Sequence, residues 1–191
     1  MAGVLVVLAP GAEEIETLTV ADVLVRAGQQ VRLGGVAGTA VRGSRDLPLA
    51  ADAPLAELAA EPPDLLYLPG GMGSAETCRD DPTVQDLLVA QLGSDRLSAI
   101  ICASPIALLP RDLARDRRLT CYPSLRKQLE AGGAKWVDRP VVRDGNLVTS
   151  QGPGTALALG LSLAAILAGT ATAVEVAATM LTTPPDLTGI C

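Results

Sequence analysis

The chain has 191 residues, a formal net charge of −6 and 49% hydrophobic residues, which suits one domain with a real core and excludes a disordered chain. The acidic balance argues against a nucleic-acid or anionic-membrane partner. There is no histidine, which removes Ser-His and Cys-His catalysis and most zinc sites, so no metal is expected.

Aromatic residues are limited to Tyr67, Tyr122 and Trp136, so Leu, Val, Ile and Ala must fill the interior. Val4–Ala9 is a continuous apolar run, the mark of a strand covered on both faces. Pro10-Gly11 breaks it, and a helix is predicted from about Glu13 to Ala27, stopped by Gly28. Gln30–Val36 reads as a second strand. Gly38–Asp52 is punctuated by Gly and Pro and reads as extended, a small hairpin at one edge. A short helix is predicted over Pro54–Ala60, then a buried strand over Asp64–Leu68 that ends in the glycine turn Pro69-Gly70-Gly71-Met72-Gly73.

Pro82–Leu92 has helical spacing, and Ala99-Ile100-Ile101 forms a strand running into Cys102. A helix to about Leu113 is predicted after it. The basic cluster Arg111, Arg115, Arg117 and Arg118, interleaved with Asp112 and Asp116, reads as a solvated helix end and loop. Leu119–Cys121 reads as a short strand and Ser124–Gly132 as a helix. Asp144-Gly145-Asn146 between Val141–Arg143 and Leu147–Ser150 is a strong hairpin signal. A long apolar helix covers Ala156–Ala168, a last helix covers Thr172–Leu181, and a tail begins at Pro184-Pro185. One domain over 1–183 is expected, with 184–191 as a tail that need not be ordered. Strands alternating with helices predict an α/β fold with an open, mostly parallel sheet.

Four cysteines (78, 102, 121 and 191) lie far apart with no CxxC pair, which is not a disulfide framework. With no secretory signal visible and no apolar segment of membrane length, a cytoplasmic location is expected. Cys78 and Cys191 look incidental, although a terminal Cys191 could oxidise, and Cys121 is either a second reactive thiol or a buried one.

Ligands of such sheets bind outside the carboxyl ends of the strands. Three features converge there: the turn with Glu13, Glu14 and Glu16, the glycine turn at Gly70-Gly71, and Cys102 at a strand-to-helix corner. Free N–H groups of the following helix favour a thiolate at such a corner. Glu16 is a candidate partner, because a carboxyl close to a thiolate has a raised pKa and can donate to sulfur and shuttle a proton. Glu13 and Glu14 are expected only to complement the helix dipole, although Glu13 shares a face with Glu16. The Gly70-Gly71 turn together with the Ala103 N–H could form an oxyanion hole. No GxGxxG fingerprint is present, and nucleotide binding is not expected.

Gly11-Ala12-Glu13-Glu14-Ile15-Glu16-Thr17, Leu68-Pro69-Gly70-Gly71, Ala99-Ile100-Ile101-Cys102-Ala103, Ala107-Leu108-Leu109 and Ser150-Gln151-Gly152-Pro153-Gly154-Thr155 together resemble, in this order, the DJ-1/PfpI superfamily, most closely its DJ-1 branch. The resemblance spans nearly the whole chain. It implies a flavodoxin-like three-layer sandwich, a homodimer, a redox-sensitive Cys102, a protonated Glu16 partner, and pocket amides from Gly70 and Gly71. It also matches Arg45 and Arg26 to arginines at the family's dimer interface. The sequence departs from the branch at Tyr122, where a histidine often precedes the proline, and at Ser104, where glycine or alanine is usual. A tyrosine hydroxyl can still hydrogen-bond but is a poor general base at neutral pH.

The function these residues imply is a dimeric, glutathione-independent glyoxalase or deglycase acting on dicarbonyls such as methylglyoxal and glyoxal, or on their early adducts. Cys102 would be the nucleophile, Glu16 the proton carrier, and Gly71 and Ala103 the oxyanion donors, with no cofactor. The alternative is a non-catalytic redox sensor or chaperone with an oxidisable Cys102.

Overall fold

The computed structural model describes residues 3–190, so Cys191 lies outside the described residues. In chain order the elements are β1 (Gly3–Leu8), α1 (Glu14–Arg26), β2 (Gln30–Gly35), β3 (Ala40–Arg42), β4 (Pro48–Ala50), β5 (Ala53–Pro54), α2 (Leu55–Leu58), β6 (Leu65–Leu68), α3 (Met72–Asp80), α4 (Pro82–Leu92), β7 (Leu97–Ile101), β8 (Arg118–Leu119), α5 (Arg126–Ala131), β9 (Lys135–Trp136), β10 (Val141–Asp144), β11 (Leu147–Ser150), α6 (Ala156–Ala168) and α7 (Thr170–Thr179).

Seven strands form the central sheet in the order β10-β11-β7-β6-β1-β2-β5. Every pairing is parallel except β10 with β11, which the Asp144-Gly145-Asn146 turn joins as an antiparallel hairpin. The apolar runs alternate across the sheet, as strand geometry requires. Val4, Val6, Leu65, Tyr67, Ala99 and Ile101 pack with Val20 and Leu24 of α1 and with Leu159 and Leu163 of α6. Leu5, Val7, Leu66, Leu68 and Ile100 face the other way, onto Leu55, Val84, Leu88, Leu92 and Leu129 of α2, α4 and α5. The result is a mixed α/β, flavodoxin-like sandwich with helices on both faces of a mostly parallel sheet. Among the described residues no helix is long and apolar enough to cross a membrane.

The structure corrects several local expectations. No α-helix follows Cys102: Ser104–Leu108 is a 3-10 turn, continued by further turns. Pro110 cannot donate to the carbonyl of Ile106, so an α-helix could not run on to Leu113. The glycine turn after β6 leads into helix α3, which Gly73 and Thr77 disguise in the sequence. The β3–β4 hairpin forms a sheet of its own, and the short β5 takes the edge beside β2. The predicted strand at Leu119–Cys121 is shorter and earlier, Arg118–Leu119, and pairs with Lys135–Trp136. The final helix starts at Thr170 and ends at Thr179. The tail folds back: Ile190 is buried in the main core, and its carbonyl accepts from Arg143 Nη1 at 2.6 Å.

Helix α1, which carries Glu16, packs closely on α6. Gly160 of α6 faces Val23 of α1 so closely that a Cβ there would lie 3.0–3.2 Å from the Val23 side chain. Replacement by Ala sets this crowding against a helix-propensity gain of about 1 kcal/mol, so Gly160→Ala is expected to be near neutral. Gly160→Leu cannot fit without pushing α1 outward, and is predicted to lower stability in urea unfolding by about 1–3 kcal/mol.

Candidate active site

The carboxyl ends of β1, β6 and β7 are neighbours in the sheet, so the turns that follow them meet. Cys102 stands at the end of β7 with φ of +64°, a left-handed conformation that is costly for a residue with a Cβ. Its backbone is held from both sides. The Cys102 N–H donates to the Ser150 carbonyl at 3.0 Å, and the Tyr122 N–H donates to the Cys102 carbonyl at 2.8 Å. The strained corner turns the thiol out of the strand while leaving it only 9% exposed.

Glu16 is fully buried in the first turns of α1. Its Oε2 accepts the Gly70 N–H at 2.7 Å. Its Oε1 is buried with no partner in hydrogen-bond geometry, and Cys102 is the neighbouring side chain that acts on the carboxyl. Gly70 makes this meeting sterically feasible: a Cβ there would lie 2.5 Å from Cys102 Cβ and closer still to Glu16 Oε2. The backbone around Glu16 is fixed twice more. Glu13 is the N-cap of α1, with Oε2 accepting the Glu16 N–H at 2.8 Å, and the fully buried Tyr67 donates its hydroxyl to the Glu16 carbonyl at 3.0 Å.

Burial pushes Glu16 up to about 7, aided by the nearby Glu13 charge and opposed by its bonds to Cys102 and Gly70. Burial, then the adjacent Glu16 charge, pushes the Cys102 thiol up to about 12, while the N–H groups of Gly71 and Ala103 at the sulfur pull the other way. Such values belong to the pair: it gives up a first proton near neutrality and holds the second into strong alkali.

The remaining expected residues fall into two groups. Ser104 is buried and its hydroxyl donates to the Pro69 carbonyl at 2.5 Å, tying the cysteine corner to the glycine turn. The Tyr122 backbone is bonded to Cys102, and its side chain is 48% exposed at the same strand end. Arg45 and Arg26, in contrast, are not brought to the thiol within one chain. Arg45 is exposed on the tip of the β3–β4 hairpin, and Arg26 pairs with Asp22 at 2.7 Å at the far end of α1. Cys78 and Cys121 are buried thiols, both held up by burial, to about 12 and about 11.

Glu14 does more than complement a dipole. Its buried carboxylate accepts the Arg45 N–H at 2.7 Å, the Ser44 hydroxyl at 3.1 Å and the Leu47 N–H at 3.4 Å, clasping the hairpin tip to α1. Glu13 as cap was discoverable from its spacing to Glu16, and Tyr67 from the need of a tyrosine inside an apolar strand to satisfy its hydroxyl. The Glu14 clasp spans about thirty residues and left no local signal.

The DJ-1/PfpI family model matches residues 2–166. The chain is 44% identical over 174 residues to the Drosophila melanogaster protein dj-1beta, covering 91% of this chain and 93% of that one. It is 34% identical over 166 residues to the Caenorhabditis elegans glutathione-independent glyoxalase DJR-1.2, covering 86% and 88%. The crystal structure of Drosophila melanogaster DJ-1beta superposes with a TM-score of 0.92 at 43% identity, covering 96% of this chain and all of that one.

Because the folded Glu16–Cys102 pair keeps both protons up to about 7, whereas an unfolded glutamate loses its own near 4.5, the native state binds more protons between those values. Stability therefore falls as pH rises through that window, by about 3 kcal/mol in all. Glu16→Gln is predicted to flatten this segment in urea titrations at graded pH.

Proposed function

The chain belongs to the DJ-1/PfpI family, and from that premise we propose that it is a cysteine-dependent, glutathione-independent glyoxalase acting on small 2-oxoaldehydes such as methylglyoxal. The observation that carries this reading is the buried Glu16 carboxyl and the buried Cys102 side chain meeting across Gly70, with the Gly71 and Ala103 N–H groups beside the thiol. The resemblance to a relative named as a glutathione-independent glyoxalase supports the same chemistry.

In the singly ionised pair, the charge is better held on sulfur, which has the Gly71 and Ala103 N–H groups, than on the carboxylate, which has that of Gly70. The reactive form is then a thiolate beside a carboxylic acid. Cys102 Sγ adds to the aldehyde carbon, and the carbonyl π-electrons move to oxygen, which takes the Glu16 proton to give a hemithioacetal. Glu16, now a carboxylate, removes the proton from that carbon and returns it to the adjacent former ketone carbon through an enediol. The aldehyde carbon is oxidised to the thioester level while its neighbour is reduced to an alcohol, so no external oxidant is consumed. Water cleaves the thioester, releasing the 2-hydroxy acid and the thiol. With Gly70 N–H committed to Glu16, the Gly71 and Ala103 N–H groups are the donors left for the oxyanion. A deglycase would use the same residues on a dicarbonyl already joined to an amine or thiol.

Purified protein with methylglyoxal and no glutathione is predicted to yield lactate. Cys102→Ser should abolish turnover, and Glu16→Gln should lower kcat/KM by about 100-fold or more. Lactate formation surviving in Cys102→Ser would overturn the assignment. Absence of wild-type turnover, with peroxide converting Cys102 selectively to the sulfinate, would favour the sensor reading instead.

The active unit we propose is a homodimer built on α1. Ile15, Leu18 and Val25 form an exposed apolar stripe on this helix, and Leu47 is exposed on the hairpin tip that Glu14 holds beside it. Two such faces joined by a two-fold axis would bury the stripe and set Arg45 near the partner. Light scattering is predicted to give twice the chain mass for wild type and the single-chain mass for Leu18→Glu; a monomeric wild type would contradict the dimer.

A further inference from the structure

Cys102 is so enclosed that only the reacting end of a substrate can reach it, and the rest of the molecule must lie across the mouth of the site. The Tyr122 backbone adjoins the Cys102 corner. Its N–H donates to the Cys102 carbonyl at 2.8 Å, which sets the two residues side by side at the strand ends. The preceding Cys121 is buried with the α2, α4 and α5 side of the sheet, so in extended chain Tyr122 turns to the opposite side. That is the side on which Cys102 and Ala103 pack with Ala156 and Leu159 of α6. The edge of the Tyr122 ring lies over Gly152, where a Cβ would come 3.5 Å from Cδ2, in the turn that leads into α6.

The other two aromatic residues have internal occupations. Tyr67 is buried with its hydroxyl on the Glu16 carbonyl, and Trp136 lies under the Arg126 guanidinium, 4.4 Å from its ring centre. Among the described residues the Tyr122 hydroxyl has no protein partner, and 48% of the residue is open to solvent. An unburied ring beside an enclosed nucleophile presents an apolar face to whatever extends outward from the reacting carbon.

Resting on the 2-oxoaldehyde reading above, we propose that Tyr122 determines substrate choice by packing against the group remote from the aldehyde, favouring aryl over methyl 2-oxoaldehydes. The ring supplies the preference and the hydroxyl does not, since aryl groups offer it no acceptor.

The test compares kcat/KM for phenylglyoxal and methylglyoxal in wild type, Tyr122→Ala and Tyr122→Phe. In parallel, the rates at which N-phenylmaleimide and N-ethylmaleimide alkylate Cys102 are followed by peptide mass spectrometry, each divided by its rate with free glutathione. The aryl-over-alkyl ratio is expected to fall about five-fold or more in Tyr122→Ala and to persist in Tyr122→Phe, in both measurements. An alkylation ratio in Tyr122→Ala equal to that of wild type overturns the role of Tyr122, whether or not dicarbonyls are turned over. A Tyr122-dependent alkylation ratio in a protein that makes no hydroxy acid upholds it and removes the glyoxalase reading alone.

Discussion

The structure turns on one buried contact, the meeting of the Glu16 carboxyl with the Cys102 thiol. Each group alone would be costly in this interior: a carboxylate cut off from water, and a thiol on a left-handed backbone. Together they titrate as a pair, and bonds from the surrounding fold hold the backbone of each. Tyr67 and Glu13 hold the Glu16 backbone, and Ser150 and Tyr122 hold that of Cys102. Gly70 lies between the two side chains with no Cβ of its own. The strain at Cys102 persists because hydrogen bonds on both sides of it would be lost if the corner relaxed.

The chain has no histidine. Burial brings the Glu16 carboxyl up to about 7, into the range an imidazole covers. The N–H groups at the sulfur come from Gly71, delivered by β6, and Ala103, which follows the cysteine directly. They are fixed turn amides. The 3-10 geometry of Ser104–Leu108 gives no extended α-helical dipole behind the thiol, so sulfur stabilisation rests on those two local donors.

Much of this was legible in the chain. Apolar runs with no polar interruption read directly as doubly covered strands, and their alternation with helices implied a parallel sheet with a crevice at its carboxyl edge. That edge gathers Glu16, Gly70-Gly71 and Cys102. What stayed hidden was the long-range wiring. Glu14 reads as one more acid at a helix start, yet its carboxylate holds a loop about thirty residues away. Ser104 reads as a small replacement inside the site, yet its hydroxyl is used on the Pro69 carbonyl. Helix α3 was masked by glycine and threonine, because packing of Ala75 and Cys78 against the core outweighs their weak propensity. Arg45 and Arg26 sit away from the thiol in the single chain, so any share they have in the site depends on a second copy.

The central claim is that the one negative charge of the pair resides on sulfur at neutral pH, and the ultraviolet absorbance of the thiolate reports it directly. Titration of wild type against Cys102→Ser should show Cys102 thiolate already appearing around neutrality, where the pair loses its first proton, far below the ordinary thiol range. Thiolate absorbance that appears only towards pH 12 would place the charge on Glu16 and contradict it.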